Sequence, residues 1–148
     1  MKFLIINGPN LNMLGIREKN IYGSETLKDL KRLVREHCGK IGAKAVFYQS
    51  NHEGDLVTAI QRARGRFDGI VINPAAYTHT SVAIADAVKA ISPLPVAEVH
   101  ISDVNSREEF RRISYIRDVA AVTISGKGFD GYTEAVDYLV GLCSTGNK

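Results

Sequence analysis

The amino-acid sequence predicts an α/β protein, a flavodoxin-like three-layer sandwich in which helices cover both faces of a five-stranded parallel sheet. Five short apolar segments are spaced along the chain, and amphipathic helical patterns lie between them. The segments are apolar on both faces, which is typical of parallel strands covered by helices. For five alternating strand and helix units, the expected strand order is 2-1-3-4-5.

The elements follow in order along the chain. The predicted strands are residues 2–7, 44–48, 69–73, 95–99 and 119–124. The first helix follows Ser24 and Thr26, and either residue is a suitable N-cap. The second follows Ser50-Asn51-His52-Glu53, which has the pattern of a capping box. The third, residues 82–91, is nearly all apolar, so we expect it to be buried on two sides, with another subunit as a candidate cover. A short helix at 106–113 and a last helix around 132–140 complete the pattern.

Length and composition indicate one globular domain. The chain has 148 residues, of which 45% are hydrophobic and 24% charged. We expect a catalytic domain over 1–143 and a frayed tail over 144–148. The two cysteines, Cys38 and Cys143, lie in predicted helices without a CxxC motif, which favours reduced thiols. No apolar run reaches the roughly 18 residues of a membrane span and no signal peptide is recognised, so a cytoplasmic location is expected.

The charge pattern disfavours nucleic acid as a partner. The formal net charge is +3, but the basic residues are scattered and no aromatic ladder accompanies them. A small positive excess suits a small anionic substrate.

The segment from Asn73 to Ser81 is the most informative part of the chain. It follows the third predicted strand and carries an amide, a phenol, the imidazole of His79 and three hydroxyl groups. Ligands of open parallel sheets bind beyond the carboxyl ends of the strands, so this segment favours a site for a small polar molecule. A well-capped loop, with Thr80 or Ser81 as N-cap, explains the same residues equally well.

The first and fourth strands end in further polar groups. Asn7-Gly8-Pro9-Asn10 follows strand 1, and its asparagines either contact a ligand or bond the local backbone. In strand 4, alternation places Glu98 and His100 on one side, where the carboxylate can set the imidazole tautomer. A structural histidine with a buried partner is the alternative. Metal binding is disfavoured because the histidines have no metalloenzyme spacing.

The loop at residues 14–23 contains Arg17 and Tyr22 between two glycines. Its length suits a flap over the site. The two side chains form either a surface cation–π pair or a phenol whose pKa is lowered by the guanidinium.

Taken together, these segments resemble the type II 3-dehydroquinate dehydratases over essentially the whole chain. The ordered motifs are NGPNLNMLG at 7–15, REKNIYG at 17–23, QSNHEGD at 49–55, NPAAYTHTS at 73–81, EVHIS at 98–102, REEFR at 107–111 and GKGFDGY at 126–132. The last run is not a dinucleotide fingerprint, because it follows the fifth strand and no acidic residue ends a next strand. Single motifs are weak, whereas the ordered set is highly specific.

The resemblance implies a hydro-lyase of the shikimate pathway that needs no cofactor and no metal. It converts 3-dehydroquinate to 3-dehydroshikimate by trans-elimination of water through an enolate. The implied catalytic residues are Tyr22 as general base, Arg17 as the cation that lowers its pKa, His100 as general acid, Glu98 as its orienting partner and Asn10 as the holder of a water. The implied substrate-binding residues are Asn73, His79, Arg111, the amides of Ile101 and Ser102, and Asp86 from a neighbouring subunit. The family pattern also implies a homododecamer of four trimers.

Two positions depart from the family pattern. Lys19 replaces a usual proline in the lid, and Asp103 replaces a common asparagine after the HIS motif. Two rival classes share the fold. A flavin mononucleotide module needs a Ser/Thr/Gly phosphate loop after strand 1. A phosphoacceptor domain needs an acidic pair at strand 1 and an aspartate at the end of strand 3, whereas strand 1 here has no acidic pair and strand 3 ends in Asn73. Neither requirement is met.

Overall fold

The computed structural model describes residues 1–16, 20 and 23–145. Its sheet contains β1 (Lys2–Asn7), β2 (Lys44–Gln49), β3 (Gly69–Asn73), β4 (Val96–His100) and β5 (Val122–Ser125). The α-helices are α1 (Leu27–Lys40), α2 (Glu53–Ala63), α3 (Val82–Ala90) and α4 (Asp130–Thr145). Short 3₁₀ helices occupy Leu11–Met13, Ala75–His79, Val104–Ser106 and Glu109–Arg112.

The sheet has the predicted topology. All neighbouring strands are parallel and their order is β2-β1-β3-β4-β5. The chain leaves β1 toward β2 on one side and later adds β3 on the other, so the switch point lies between β1 and β3. There the last residues of the two strands, Asn7 and Asn73, are register partners. Ligands of such folds bind at this point.

Two hydrophobic clusters form the core, one on each face of the sheet. Because strand side chains alternate, Phe3 and Ile5 join α1 and α4 in one cluster, whereas Leu4 and Ile6 join α2 and α3 in the other. The edge strand β2 instead alternates between exposed and half-buried residues. These two clusters confirm the three-layer prediction.

Two predicted elements between β4 and α4 differ clearly from the structure. β5 begins at Val122 rather than 119, because the amides of Val119 and Ala120 close a turn on the Ile116 carbonyl at 3.0 and 2.9 Å. The short helix expected at 106–113 is two separate 3₁₀ turns, at Val104–Ser106 and Glu109–Arg112.

The N-caps were predicted with mixed success. Thr26 caps α1 in a full capping box with Asp29, as one of the two predicted candidates. Ser81 caps α3 by accepting from the Ile84 amide at 3.0 Å. The capping box predicted for α2 is wrong, because His52 is its N-cap and Ser50 instead donates to Asp55 at 2.9 Å.

Helix α3 is buried on one side within the single chain. Ile84, Ala85, Ala87 and Val88 join the core. The opposite side, Val82, Ala83, Asp86, Lys89 and Ala90, is exposed. One chain therefore buries only one side of this helix, and burial of the other side against another subunit stays a prediction.

Helix α4 continues through Ser144 and Thr145, whose hydroxyl groups donate to carbonyls of the preceding turn. Residues 144 and 145, which we expected to belong to a frayed tail, therefore lie in this helix. Residues 146–148 lie outside the described part of the chain. Cys38 and Cys143 are both free thiols. Among the described helices, none has the length and apolar character needed to cross a bilayer.

Candidate active site

A cavity of about 150 Å³ lies beyond the carboxyl ends of β1, β3 and β4. Seven residues singled out from the sequence line it: Asn10, Asn73, His79, His100, Ile101, Ser102 and Arg111. They come from four separate segments of the chain, so the sheet topology is what brings them together.

The loop after β1 is held against its neighbours at backbone level. A Cβ atom on Gly8 would lie 2.4 Å from the Pro74 carbonyl oxygen, so the loops after β1 and β3 can approach this closely only with glycine here. Asn10 has left-handed backbone angles (φ 65°), and its amide donates to Asn51 Oδ1 at 2.9 Å. Gln49 adds a bond to the Gly8 carbonyl at 3.2 Å. The QSN motif therefore positions Asn10.

The amide of Asn73 is oriented by two partners. Its Oδ1 accepts from the Ala75 amide at 3.1 Å, and its Nδ2 donates to the Tyr132 hydroxyl at 2.9 Å. The Tyr132 hydroxyl donates onward to Asn7 Oδ1 at 2.7 Å. Since Nδ2 carries two hydrogens, one remains for a ligand in the cavity.

His79 is anchored through one ring nitrogen. Its Nδ1 lies 2.6 Å from the Ile113 carbonyl oxygen, which can only accept, so Nδ1 carries a hydrogen and Nε2 is left for a ligand. The pKa of His79 lies below its ordinary value. Burial is the main cause and the nearby His100 and Arg111 add to it, while the bond to the carbonyl opposes them. A neutral imidazole at neutral pH presents Nε2 as an acceptor for a hydroxyl group.

Glu98 and His100 form the buried centre of the site. His100 Nε2 lies 2.9 Å from Glu98 Oε1, and both side chains are almost completely buried. Burial alone would raise the pKa of Glu98, but the hydrogen bond and charge of His100 and the hydroxyls of Ser114 and Thr123 outweigh it, so the pKa is lowered. The predicted placement on one side of the strand is confirmed.

The turn after β4 directs backbone amides away from β5. The carbonyl oxygens of His100 and Ile101 accept from the amides of Gly126 and Gly128 at 3.1 and 3.0 Å. In a trans peptide the N–H points opposite to the C=O. The amides of Ile101 and Ser102 therefore point away from the glycine-rich turn.

Arg111 supplies positive charge at the rim. Its Nε donates to Glu108 at 2.9 Å, and its guanidinium lies 5.0 Å from the centroid of the Phe110 ring. Arg107, which sequence reasoning did not single out, also lines the cavity. Its spacing from Arg111 in the REEFR motif was the available signal, because residues four apart share a helical face.

Two predicted site residues within the described ranges do not line this cavity: Glu98, which bonds His100, and Asp86. Asp86 lies on the exposed side of α3, where it pairs with Lys89 at 3.7 Å. Arg17 and Tyr22 lie outside the described residues. Within the described ranges, no group of three or more His, Cys, Asp or Glu side chains is arranged to hold a metal ion.

Sequence reasoning also missed three supporting hydroxyl groups. Ser114 and Thr123 bond Glu98, and Tyr132 bonds Asn73. They come from segments that carry no recognisable catalytic motif, apart from the tyrosine that ends GKGFDGY.

The fold and the cavity define an α/β protein of the flavodoxin-like architecture with a polar cavity and a buried Glu98–His100 pair at the carboxyl ends of its strands. The sequence model of the family described as dehydroquinase class II matches residues 1–140. The chain belongs to this family.

Curated relatives and solved structures agree. A catabolic 3-dehydroquinase 1 from Fusarium vanettenii is 54% identical, with 93% of this chain and 94% of the relative covered. A 3-dehydroquinate dehydratase 1 from Corynebacterium efficiens is 56% identical, with 93% and 91% covered. The crystal structure of a type II dehydroquinase from Butyrivibrio crossotus superimposes with a TM-score of 0.93 at 52% identity, covering 95% of this chain and 97% of that one.

Proposed function

We propose that this chain is a 3-dehydroquinate dehydratase, a hydro-lyase that converts 3-dehydroquinate to 3-dehydroshikimate in the shikimate pathway. The observation that carries the proposal is one cavity lined by seven expected residues, with His100 held by the buried Glu98. Both names carried by the relatives, the catabolic and the unqualified one, refer to this dehydration chemistry.

Elimination of water needs an acid at the departing hydroxyl. Since His100 directs Nε2 to Glu98, its Nδ1 is the nitrogen that serves the substrate. In the proposed step Nδ1–H protonates the C1 hydroxyl as it leaves, and the ionised Glu98 stabilises the imidazolium before transfer. The lowered pKa of Glu98 supports this role, because a protonated carboxyl would not stabilise a cation.

The reaction also needs a base for the C2 proton. Tyr22 is the proposed base and Arg17 the cation that keeps it ionised, both from the resemblance of the 17–23 motif. An unperturbed phenol titrates near pH 10, so a phenolate at neutral pH needs about 4 kcal/mol of stabilisation. One or two desolvated cations suffice for this shift.

The remaining lining groups suit the substrate's functional groups. Asn10 is proposed to hold a water beside the enolate oxygen. Asn73, His79 and Arg111 are proposed to bind substrate hydroxyl groups, which need both donors and acceptors. The amides of Ile101 and Ser102 are proposed to bind the carboxylate, as aligned backbone N–H groups do for anions.

Assembly completes the proposal. We expect a cytoplasmic homododecamer of four trimers, with Asp86 reaching the site of a neighbouring subunit. The exposed side of α3 supports an interface, because Val82 is 54% exposed and the small residues beside it allow close approach. Light scattering on the purified protein tests this, and a fully active monomer would contradict it.

The direct test is to add 3-dehydroquinate and follow the ultraviolet absorbance of the conjugated enone product. Tyr22→Phe should lower turnover by 10²-fold or more, the usual loss on removing a general base. In deuterated buffer, His100→Ala should retain exchange at C2 while losing product, whereas Tyr22→Phe should lose both. Absence of product with the parent protein would refute the proposed function. The opposite exchange pattern would reverse the roles of the two residues.

A further inference from the structure

Glu98 is surrounded by hydrogen-bond donors. It is fully buried, its Oε1 accepts from Ser114 Oγ at 2.7 Å, and its Oε2 accepts from Thr123 Oγ1 at 2.8 Å. His100 completes the set on Oε1. Ser114 comes from the loop before β5 and Thr123 from β5 itself, so two elements that contribute no expected catalytic residue meet at this carboxylate.

The Ser114 hydroxyl has a defined direction. Its oxygen accepts from the amides of Ile116 at 3.3 Å and Arg117 at 3.1 Å. A hydroxyl has two acceptor lone pairs and one hydrogen, so both lone pairs are engaged and the hydrogen is directed to Glu98. The carboxyl group must then be an acceptor at Oε1, which favours its ionised form.

The polarity of this network extends to the imidazole. If Glu98 accepts on both oxygens, the nitrogen of His100 that faces it must be a donor, so neutral His100 carries its hydrogen on Nε2. Its Nδ1 then faces the cavity as a lone pair in the neutral form and as N–H in the cationic form. A general acid needs such a nitrogen, because Nδ1 can give its proton to the substrate and take up another proton from solvent after each turnover.

We propose that Ser114 and Thr123 are positioning residues that fix the protonation states of Glu98 and His100. Their hydroxyls hold Glu98 as a carboxylate and thereby hold His100 in the Nε2–H tautomer. The inference rests on the proposed function, since it assigns the direction of proton transfer at that site.

Other charged groups near the pair do not replace these hydroxyls. His79 and Arg111 lie on the cavity side; His79 interacts electrostatically with both His100 and Glu98, and Arg111 interacts with His79. Arg107 also lines that side. The two hydroxyls approach Glu98 from β5 and from the loop that precedes it. Removing one of them leaves a buried carboxylate oxygen short of a donor, which favours uptake of a proton by Glu98.

The test combines two readouts on the intact protein. Nitrogen-15 spectra of histidine-labelled protein report the His100 tautomer, assigned by its loss in His100→Ala, and steady-state kinetics report kcat and KM against pH. Thr123→Val removes the hydroxyl at nearly constant volume, Thr123→Ser restores it, and Ser114→Ala removes the second donor. Thr58→Val is the matched control, because that hydroxyl donates to the Gly54 carbonyl within α2.

The expected result is the Nε2–H tautomer in the parent and a mixed population in Ser114→Ala, because Ser114 is the donor that holds Oε1 as an acceptor. In Ser114→Ala and in Thr123→Val, kcat should fall about tenfold at unchanged KM, the size of one lost charge-assisted hydrogen bond. The decline of kcat at basic pH should begin at a lower pH in Thr123→Val than in the parent. Thr123→Ser should recover most of the kcat that Thr123→Val loses.

Two results would overturn the proposal. One is an Nδ1–H tautomer in the parent, which needs no variant to be observed. The other is a Ser114→Ala protein that keeps the parental tautomer together with a Thr123→Val protein whose kcat and KM match those of Thr58→Val. The tautomer is measured without substrate, so a parent protein lacking dehydratase activity would refute the proposed function and leave this readout intact.

Discussion

Tyr132→Phe should destabilise the protein far more than its chemical size suggests. The Tyr132 side chain is fully buried, and its hydroxyl joins the ends of β1 and β3 by donating to Asn7 and accepting from Asn73. Those two asparagines are 0% and 3% exposed, so water has little access to replace the lost bonds. The hydroxyl is therefore a structural link beneath the proposed active site.

The magnitude follows from the groups left behind. Removing the hydroxyl leaves Asn7 Oδ1 and Asn73 Nδ2 without this partner, and each unsatisfied buried group costs about 1–3 kcal/mol. Asn7 Nδ2 already has no partner among the described residues, so the Asn7 amide has little scope to compensate. We expect a loss of about 2–4 kcal/mol in the free energy of unfolding. Substrate affinity should also fall, because Asn73 loses one of the two bonds that orient it.

The assay is urea unfolding at one protomer concentration, since assembly makes stability depend on concentration. Tyr138→Phe is the matched control on the same helix. Its side chain is 41% exposed and its hydroxyl donates once, to the Ala121 carbonyl at 3.1 Å, so water replaces the bond and less than about 1 kcal/mol should be lost. Equal losses for the two variants would refute the reasoning.

Two further predictions concern the close approach after β1 and the acid dependence of stability. Gly8→Ala would place Cβ 2.4 Å from the Pro74 oxygen, so it should cost about 1–3 kcal/mol and reduce kcat/KM. Gly141→Ala on open helix surface should instead stabilise by about 0.5–1 kcal/mol, and the reverse order in urea midpoints would contradict the packing argument. The pKa values of His79 and Glu98 are both lowered, so the unfolded chain takes up protons first on acidification. The free energy of unfolding should therefore decrease as pH falls below 6.5 and again below 4.5, and His79→Gln should flatten only the first part of that curve. An unchanged curve in His79→Gln would exclude the histidine as a contributor.

The sequence was sufficient for the fold and the family because both depend on patterns that are local or ordered along the chain. A segment such as 69–73, apolar at every position, requires cover on both faces, and alternation with helices then leaves few topologies. Capping of α1 was equally readable, since Thr26 and Asp29 are three residues apart. The alternation rule also placed Glu98 and His100 on one side of their strand.

Only the tertiary structure decided what surrounds those residues. Glu98 is bonded by hydroxyls 16 and 25 residues further along the chain, and Asn73 by one 59 residues away. No local pattern marks such partners, because their proximity results from strand order and helix packing. The same holds for Ser50, whose expected cap is replaced by a bond to Asp55, and for α3, whose second face is exposed in a single chain. Local periodicity determines which residues face a core, whereas long-range packing determines which polar groups meet there and in which protonation state they are held.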